Sequence, residues 1–287
     1  LQIVGKIALV QRAWVNHSWH VALRITARGI GTGLIPHAAG SFQIDFDFID
    51  HSLELRVSDG QTVRLPLHER PTAEFYRDVM SSLSALGVPV RIHTMPNELP
   101  DPVPFDRDET HRAYDAEYVN RYWRVLLQTQ RVFEEFRARF IGKCSPVHFF
   151  WGSADLTVTR FSGRTAPPHP GGIPNLPDWV AREAYSHQVS SAGFWAGNDQ
   201  TPEAVFYSYA YPEPPGFADA RVSPEGAHFS STLREFVLPY EAMRTARAPE
   251  KALLEFLQNT YEAAADLGDW DRQALERASD SHGQPVR

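Results

Sequence analysis

Phe42, Ile44, Phe46 and Phe48 alternate with Gln43, Asp45 and Asp47. A period of two puts the apolar side chains on one face and the polar ones on the other, which is the pattern of an antiparallel strand with one side on a core. Leu53, Leu55 and Val57 alternate with Glu54 and Arg56, and Val63, Leu65 and Leu67 follow. Ile7 and Leu9, then Val21, Leu23 and Ile25, extend the pattern toward the start, so the run Leu1 to Val10 also reads as strand. The first segment is therefore expected to be a β-meander. Its register follows from parity. The apolar set changes from even to odd between Phe48 and Leu53, which an even connection such as a two-residue turn at Asp50-His51 allows. Between Val57 and Val63 the parity is kept. An odd loop is then required, and Ser58-Asp59-Gly60 with Gly60 left-handed sets Leu55 opposite Val63.

Helical spacing begins after Pro71, with Phe75, Val79, Leu83 and Leu86 as a stripe and Gly87 as its stop. Val88 to His93 reads as a further strand. Pro96, Pro100, Pro102 and Pro104 mark an extended connector. The longest helix is expected from about Asp115 to Phe140, with Tyr118, Tyr122, Val125, Leu126, Phe133, Phe136 and Phe140 at helical spacing. Three strand-like runs follow, Val147 to Phe161, Glu183 to Trp195 and Val205 to Tyr211, expected as neighbours in one antiparallel sheet. A last helix starts near Pro249, buries Leu253, Leu257 and Tyr261, and stops at Gly268. This order predicts an α+β fold of antiparallel sheet with packed helices, with pseudo-symmetric halves as one arrangement. A single domain over 1–277 is expected, with any sub-boundary near 96–110 and a polar tail at 278–287.

The 287 residues are 43% hydrophobic and carry a formal charge of −7. That supplies a large core, and the absence of a basic stripe argues against nucleic acid. No apolar run approaches the roughly 18 residues of a membrane span. Cys144 is the only cysteine, which excludes an intramolecular disulfide and fits a reducing, cytoplasmic setting. The chain opens on Leu1 within a structured run, so residues are expected to precede it.

Each chemistry-bearing motif has a plain alternative. Gly29, Gly31 and Gly33 are followed by Pro36 and Gly40 rather than by a helix, so they read as a hairpin connection and not a dinucleotide loop. Cys144, beside Lys143, reads as a small packed residue. His17 and His20 share a face only on a helical turn; on a strand their odd spacing sends them to opposite sides. They are weak candidates for a divalent metal. His148 shares strand parity with Phe150, Leu156 and Val158, the apolar set. Trp151, Ser153, Asp155, Thr157 and Thr159 share the other face, which is either solvent or the floor of a polar pocket. Glu183, Tyr185 and His187 fall on one face of their run, as do Tyr207, Tyr209 and Tyr211. A row of phenols needs hydrogen-bond partners if buried, and a ligand can provide them.

The blocks GKCSPVHFFWGS (142–153), RFSGR (160–164), EAYSHQVSSAGFW (183–195), FYSYAYPEP (206–214), LPYEAMR (238–244) and FLQNTYEAAADLGDWDR (256–272) resemble an uncharacterised bacterial family, a domain of unknown function. NHSWHVALRITARG (16–29) and DFDFIDH (45–51) resemble it too. Ser18 and Gln188 depart from the aromatic and the acid expected there. The resemblance implies one full-length domain and carries no activity, cofactor or catalytic residue.

Two functions from different classes remain open. The first is a small-molecule enzyme using His and carboxylate chemistry, with or without a metal, on His148, His187, Asp155, Glu183 and Glu241. The second is a non-catalytic protein that holds a small polar or anionic ligand among Trp151, Arg160, Tyr185, Trp195, Tyr207 and Tyr209. In the second, Arg160 supplies the positive charge.

Overall fold

A computed structural model describes residues 1–277 apart from Ala39 and Gln200; the expected polar tail at 278–287 lies outside the described residues. The fold is α+β, and its strand pairings are antiparallel. The chain groups into two compact units. The first comprises Leu1–Leu127, Phe149–Ala154 and Gly171–Ala181, and the second Gln128–His148, Asp155–Pro170 and Arg182–Arg287.

The first unit opens with helix α1 (Gln2–Gln11), where a strand was expected. Ile3, Val4, Ile7 and Ala8 are all buried. Their spacing of three and four is the helical one, and it outweighs the β-preference of the branched residues. Strands β1 (Arg24–Ile25), β2 (Gly29–Gly31), β3 (Ile35–His37), β4 (Gly40–Asp47), β5 (Ser52–Val57) and β6 (Thr62–Pro66) form a sheet in the order β1-β2-β4-β5-β6, with β3 also on β4. Phe42, Ile44, Phe46, Leu53 and Leu55 face its core. Leu55 pairs with Val63, and Gly60 is left-handed (φ 99°), as parity requires. The β4–β5 connection is even but longer than the expected pair. It spans Phe48 to His51, and Asp47 Oδ1 accepts from the amides of Ile49 and Asp50, both at 2.9 Å. Helix α2 (Thr72–Ala85) buries Val79 and Leu83 and ends before left-handed Gly87. The run Val88 to His93 is irregular rather than a strand; Val88 and Val90 are buried without ladder partners.

Helix α3 (Ala116–Ala138) carries the boundary between the units. Within the second unit it buries Val132, Phe133 and Phe136. Tyr118, expected on its buried stripe, is 67% exposed in the first turn. The expected strand Val147 to Phe161 is two strands. β7 (His148–Phe150) ends at a turn over Trp151 to Ala154, where Ala154 is left-handed, and β8 (Asp155–Thr165) begins after it. Helix α4 (Asp178–Ala184) replaces the start of the expected strand at Glu183. Strands β9 (His187–Trp195), β10 (Val205–Tyr211), β11 (His228–Ser230) and β12 (Glu235–Pro239) complete the second unit's sheet, in the order β11-β12-β10-β9-β8. Helices α5 (Tyr240–Arg244), α6 (Pro249–Leu267) and α7 (Arg272–Leu275) follow.

Alternation divides this second sheet cleanly. Leu156, Val158, Ala192, Phe194, Phe206, Phe236 and Leu238 are buried on one face. Phe206 meets Phe133 of α3, and α6, with buried Leu253, Phe256 and Leu257, packs on β9 and β10. Each buried Phe or Leu contributes roughly 1.5–3 kcal/mol. The opposite face carries hydroxyls, phenols and carboxylates.

Candidate functional site

The site is built on the polar face of β8, β9, β10 and β12. Pairing aligns Thr157 with Gly193 and Gly193 with Tyr207 across three strands. A Cβ on Gly193 would lie 2.3 Å from the Tyr207 ring. The missing side chain therefore lets the ring lie flat across β9. The phenol thereby reaches β8, donating to Asp155 Oδ2 at 2.5 Å. The Thr157 hydroxyl donates to the Ala192 carbonyl at 3.0 Å.

One row along, Tyr209 pairs with Ser191 and Ser191 with Thr159. The Ser191 and Thr159 hydroxyls lie 2.8 Å apart. Tyr209 shares a 2.8 Å hydrogen bond with the Tyr185 hydroxyl. Tyr185 stacks on His169 at 4.7 Å, and Tyr211 closes the cluster at 5.2 Å from both rings. Tyr185, Tyr207, Tyr209 and Tyr211 are all half-buried. Of the four side chains expected to line one cavity, Tyr185, His187, Tyr207 and Tyr209, the three tyrosines are linked by the Tyr185–Tyr209 hydrogen bond and the Tyr207–Tyr209 stack. His187 lies at the start of β9 with Nδ1 3.0 Å from the Ser186 hydroxyl.

Glu235 adds a second carboxylate that the sequence reading missed. It opens β12 one step before Phe236, which pairs with Ser208, so it flanks Tyr209. The alternation of Glu235 and Val237 with Phe236 and Leu238 was a signal for a short strand with Glu235 on the polar face. Glu235 is half-buried, and among the described residues its carboxylate makes no hydrogen bond or ion pair. Burial, reinforced by the Asp155 charge, pushes it up to about 7. Burial and neighbouring acids also raise the Tyr207 and Tyr209 phenols well above their ordinary range. Both phenols stay protonated at neutral pH, with Tyr207 donating to Asp155, while Glu235 exchanges a proton there.

Other expected site residues stand elsewhere. Arg160 is on the opposite face of β8, 1% exposed, with its guanidinium over Phe136 (3.5 Å), Tyr261 (4.2 Å) and Phe140 (5.1 Å). Nη2 donates to the Phe136 carbonyl, while Nε and Nη1 have no hydrogen-bond partner among the described residues. Alternation, which places Leu156, Val158 and Arg160 together, overturns the expectation that Arg160 charges the tyrosine face. Trp151 is buried in the first unit, donating to the Val21 carbonyl at 2.9 Å and covering Gly5, so it does not share a strand face with Asp155. Glu183 lies in α4 rather than on a strand face with His187. Glu241 is exposed and held low by Arg244 at 2.7 Å. His148 is buried. Trp195, by contrast, keeps to the site: it ends β9 paired with Asp155 and shares the polar face with Gly193 and Ser191. Burial pushes the Cys144 thiol up to about 11, the opposite of an activated thiolate.

His17, left-handed in a short 3-10 turn, and His20 are both buried; His20 Nδ1 lies 3.2 Å from the Val15 amide and its ring 4.4 Å from Trp14. Among the described residues no group of three or more His, Cys, Asp or Glu is placed to hold a metal ion. Gly29 and Gly31 belong to β2, pressed against Phe46 and Asp45 of β4, and form no phosphate loop. A cavity of about 340 Å³ on the α6 side of β9 and β10 is walled by Tyr211, Pro212, Glu213, Pro214, Leu267 and Trp270, and its lining includes neither Asp155 nor Glu235. Among the described residues no helix is long and apolar enough to cross a membrane.

No curated protein and no solved structure matches the chain. One family model does, over residues 1–277, and the chain belongs to that Family of unknown function (DUF5996).

Proposed function

We propose that this chain acts on a small polar molecule held on the tyrosine face of the second sheet, with Glu235 as the group that takes or gives a proton. The observation that carries this reading is the reach of Tyr207 across Gly193 to Asp155. A glycine in the middle of a strand costs stability, and its gain here is the placement of one phenol on one carboxylate. Beside that fixed pair, Glu235 has no partner of its own and lies close enough to feel the Asp155 charge. A proton-transfer group works best when its pKa lies near the operating pH, and burial next to a like charge produces that. Tyr209, Tyr185, Thr159 and Ser191 supply a run of hydroxyls to orient polar atoms of the substrate. The net charge of −7 and the lack of a basic stripe favour a small-molecule partner over nucleic acid, and the lone cysteine favours a reducing compartment such as the cytoplasm.

Incubation of the full chain with pooled metabolites, followed by mass spectrometry, tests this. The wild type is expected to consume at least one compound. Glu235→Gln is expected to retain that compound without converting it, because the amide keeps the shape and loses the proton. Equal consumption by both proteins would overturn the assignment of Glu235. A compound retained but never converted by the wild type would favour the binding-only reading of the same face.

A further inference from the structure

The cavity of about 340 Å³ lies where β9 begins and β10 ends, against the last turn of α6. We infer that it binds a small carboxylic acid with an apolar, ring-sized body, whose carboxylate is held by Arg164, Gln188 and Trp270. This site is separate from the tyrosine face and stands whether or not that face is catalytic.

The walls set the body of the ligand. Ala210, Pro212, Pro214, Ala264, Leu267 and Trp270 line the space, so a guest touches mostly aliphatic and aromatic carbon. Ala210 on β10 and Ala264 on α6 are small where the sheet meets the helix. Gly268 ends the helix, and a Cβ there would lie 3.0 Å from Trp270 Nε1, which places the indole nitrogen at the Gly268 wall. The volume falls at the low end of the roughly 300–1,000 Å³ of small-molecule pockets, which pair apolar walls with a few placed polar groups.

The polar groups set its head. Gln188 Oε1 accepts from Ser162 Oγ at 3.0 Å and from Arg164 Nε at 3.1 Å. An arginine nitrogen only donates, so the amide orientation is fixed and Gln188 Nε2 is left as a donor, with no acceptor among the described residues. Trp270 Nε1 has none either among these residues. Arg164 Nη2 donates to the Gly268 carbonyl, which holds the guanidinium against two wall residues. Its Nη1 has no acceptor, and its charge no carboxylate, among the described residues. Arg164 is exposed, which puts the carboxylate at the mouth and the apolar body inside. Nearby acids do not compete. Glu213, the one acid in the lining, is taken by Arg234, with both oxygens 2.8 Å from Nη2. Glu262 and Asp266 on α6 each pair with Arg272 at 3.0 Å, and exposed Asp269 is outside the lining. The negative end of α6 is satisfied too, because the amides of Gly268, Asp269 and Trp270 take the carbonyls of Ala264, Asp266 and Ala265. Capping α6 is thus one task of Arg164, and it uses a single nitrogen. A carboxylate accepts from the donors that remain. An amine would add a cation to them, and a plain hydrocarbon would leave them unpaired.

The test uses the full chain with 15N-labelled tryptophan, the Trp270 Nε1–H signal being assigned from Trp270→Phe. The probes are benzoate, phenylacetate, benzyl alcohol and benzylamine. At least one of the two acids is expected to shift the Trp270 signal saturably, with the alcohol and the amine roughly tenfold weaker or worse, the loss of one charge-assisted hydrogen bond. Gln188→Glu has the same shape, keeps the acceptor for Ser162 and Arg164, and gives Arg164 an internal counter-charge. It is expected to weaken acid binding roughly tenfold, and Arg164→Gln to do the same by removing the charge. If Arg164→Gln loses the native tryptophan spectrum with its α6 contact, Gln188→Glu decides alone. Benzyl alcohol or benzylamine binding as tightly as the acids overturns the carboxylate assignment. Acid binding unchanged in Gln188→Glu also overturns it. A Trp270 signal that none of the probes moves overturns the site itself.

Discussion

Each unit carries acids on a sheet face away from its phenylalanine-rich core, and the two sets are treated in opposite ways. In the first unit, Glu54 accepts from both Arg56 and Arg64, Asp45 from Arg56 at 2.7 Å, and Asp47 from Arg28 at 2.5 Å. Burial pushes Asp47 up, yet the Arg28 bond and the Ile49 and Asp50 amides hold it below the usual range. In the second unit, Asp155 receives the neutral Tyr207 phenol, and Glu235 receives nothing. The first unit's acids are ion-paired with arginines, although burial still holds Asp45 above the usual range and its Oδ1 has no hydrogen-bond partner among the described residues. A half-buried acid with no such partner among the described residues, Glu235, is prepared for something that arrives.

The contrast breaks or sharpens most strongly through pH. The folded value of Glu235, about 7, is raised above the ordinary 4.5. Below the unfolded value both states hold the proton. Between the two values the native state keeps a proton that the unfolded chain has shed, so stability falls as pH rises, and the loss is complete above about 7. At 1.36 kcal/mol per pKa unit the loss reaches about 3 kcal/mol. Urea unfolding from pH 4.5 to 7.5 is expected to show Glu235→Gln gaining on the wild type across this window. A constant difference would remove Glu235 from the uncompensated set.

Gly193→Val should destabilise the chain by about 2 kcal/mol, because the new side chain overlaps the Tyr207 ring. It should also free the phenol from Asp155, visible as a changed tyrosine near-ultraviolet signal. Retained stability and signal would show that the ring does not cross β9. In the first unit, Glu54→Gln should cost about 1–2 kcal/mol at neutral pH, since it removes the partner of two arginines; their exposure of 47% and 65% limits the penalty. The sign is opposite to that of Glu235→Gln, and a shared sign would erase the contrast. Arg160→Met should change stability by less than about 1 kcal/mol, since it exchanges a caged, partly unsatisfied guanidinium for an apolar chain. Ligand binding on the tyrosine face should be intact, and its loss would return Arg160 to the site.

Legibility in the sequence followed periodicity. Where alternation was long, as in Phe42 to Phe48 or Val205 to Tyr211, strand and face were readable, and in the first unit parity also gave register, with Leu55 opposite Val63. It failed where a backbone feature interrupted the period. Left-handed Ala154 splits the run Val147 to Phe161, so Trp151 and Asp155 do not share a face. The turn after Ala184 separates Glu183 from His187. The tyrosine cluster was legible because three phenols shared one parity. Glu235 was not sought, because its strand is five residues long and lies between left-handed Arg234 and Pro239. Arg160 was misplaced despite sufficient information: its parity with Leu156 and Val158 already assigned it to the core.

The central claim is that Glu235 stands near enough to Asp155 to feel its charge and has no ion-pair partner of its own among the described residues. A 13C titration of the Glu235 side-chain carboxyl in the full chain, in the wild type and in Asp155→Asn, tests it directly. The account expects a midpoint near 7 in the wild type that drops when Asp155 loses its charge. A midpoint at the ordinary glutamate value of about 4.3, or one indifferent to Asp155→Asn, would contradict it.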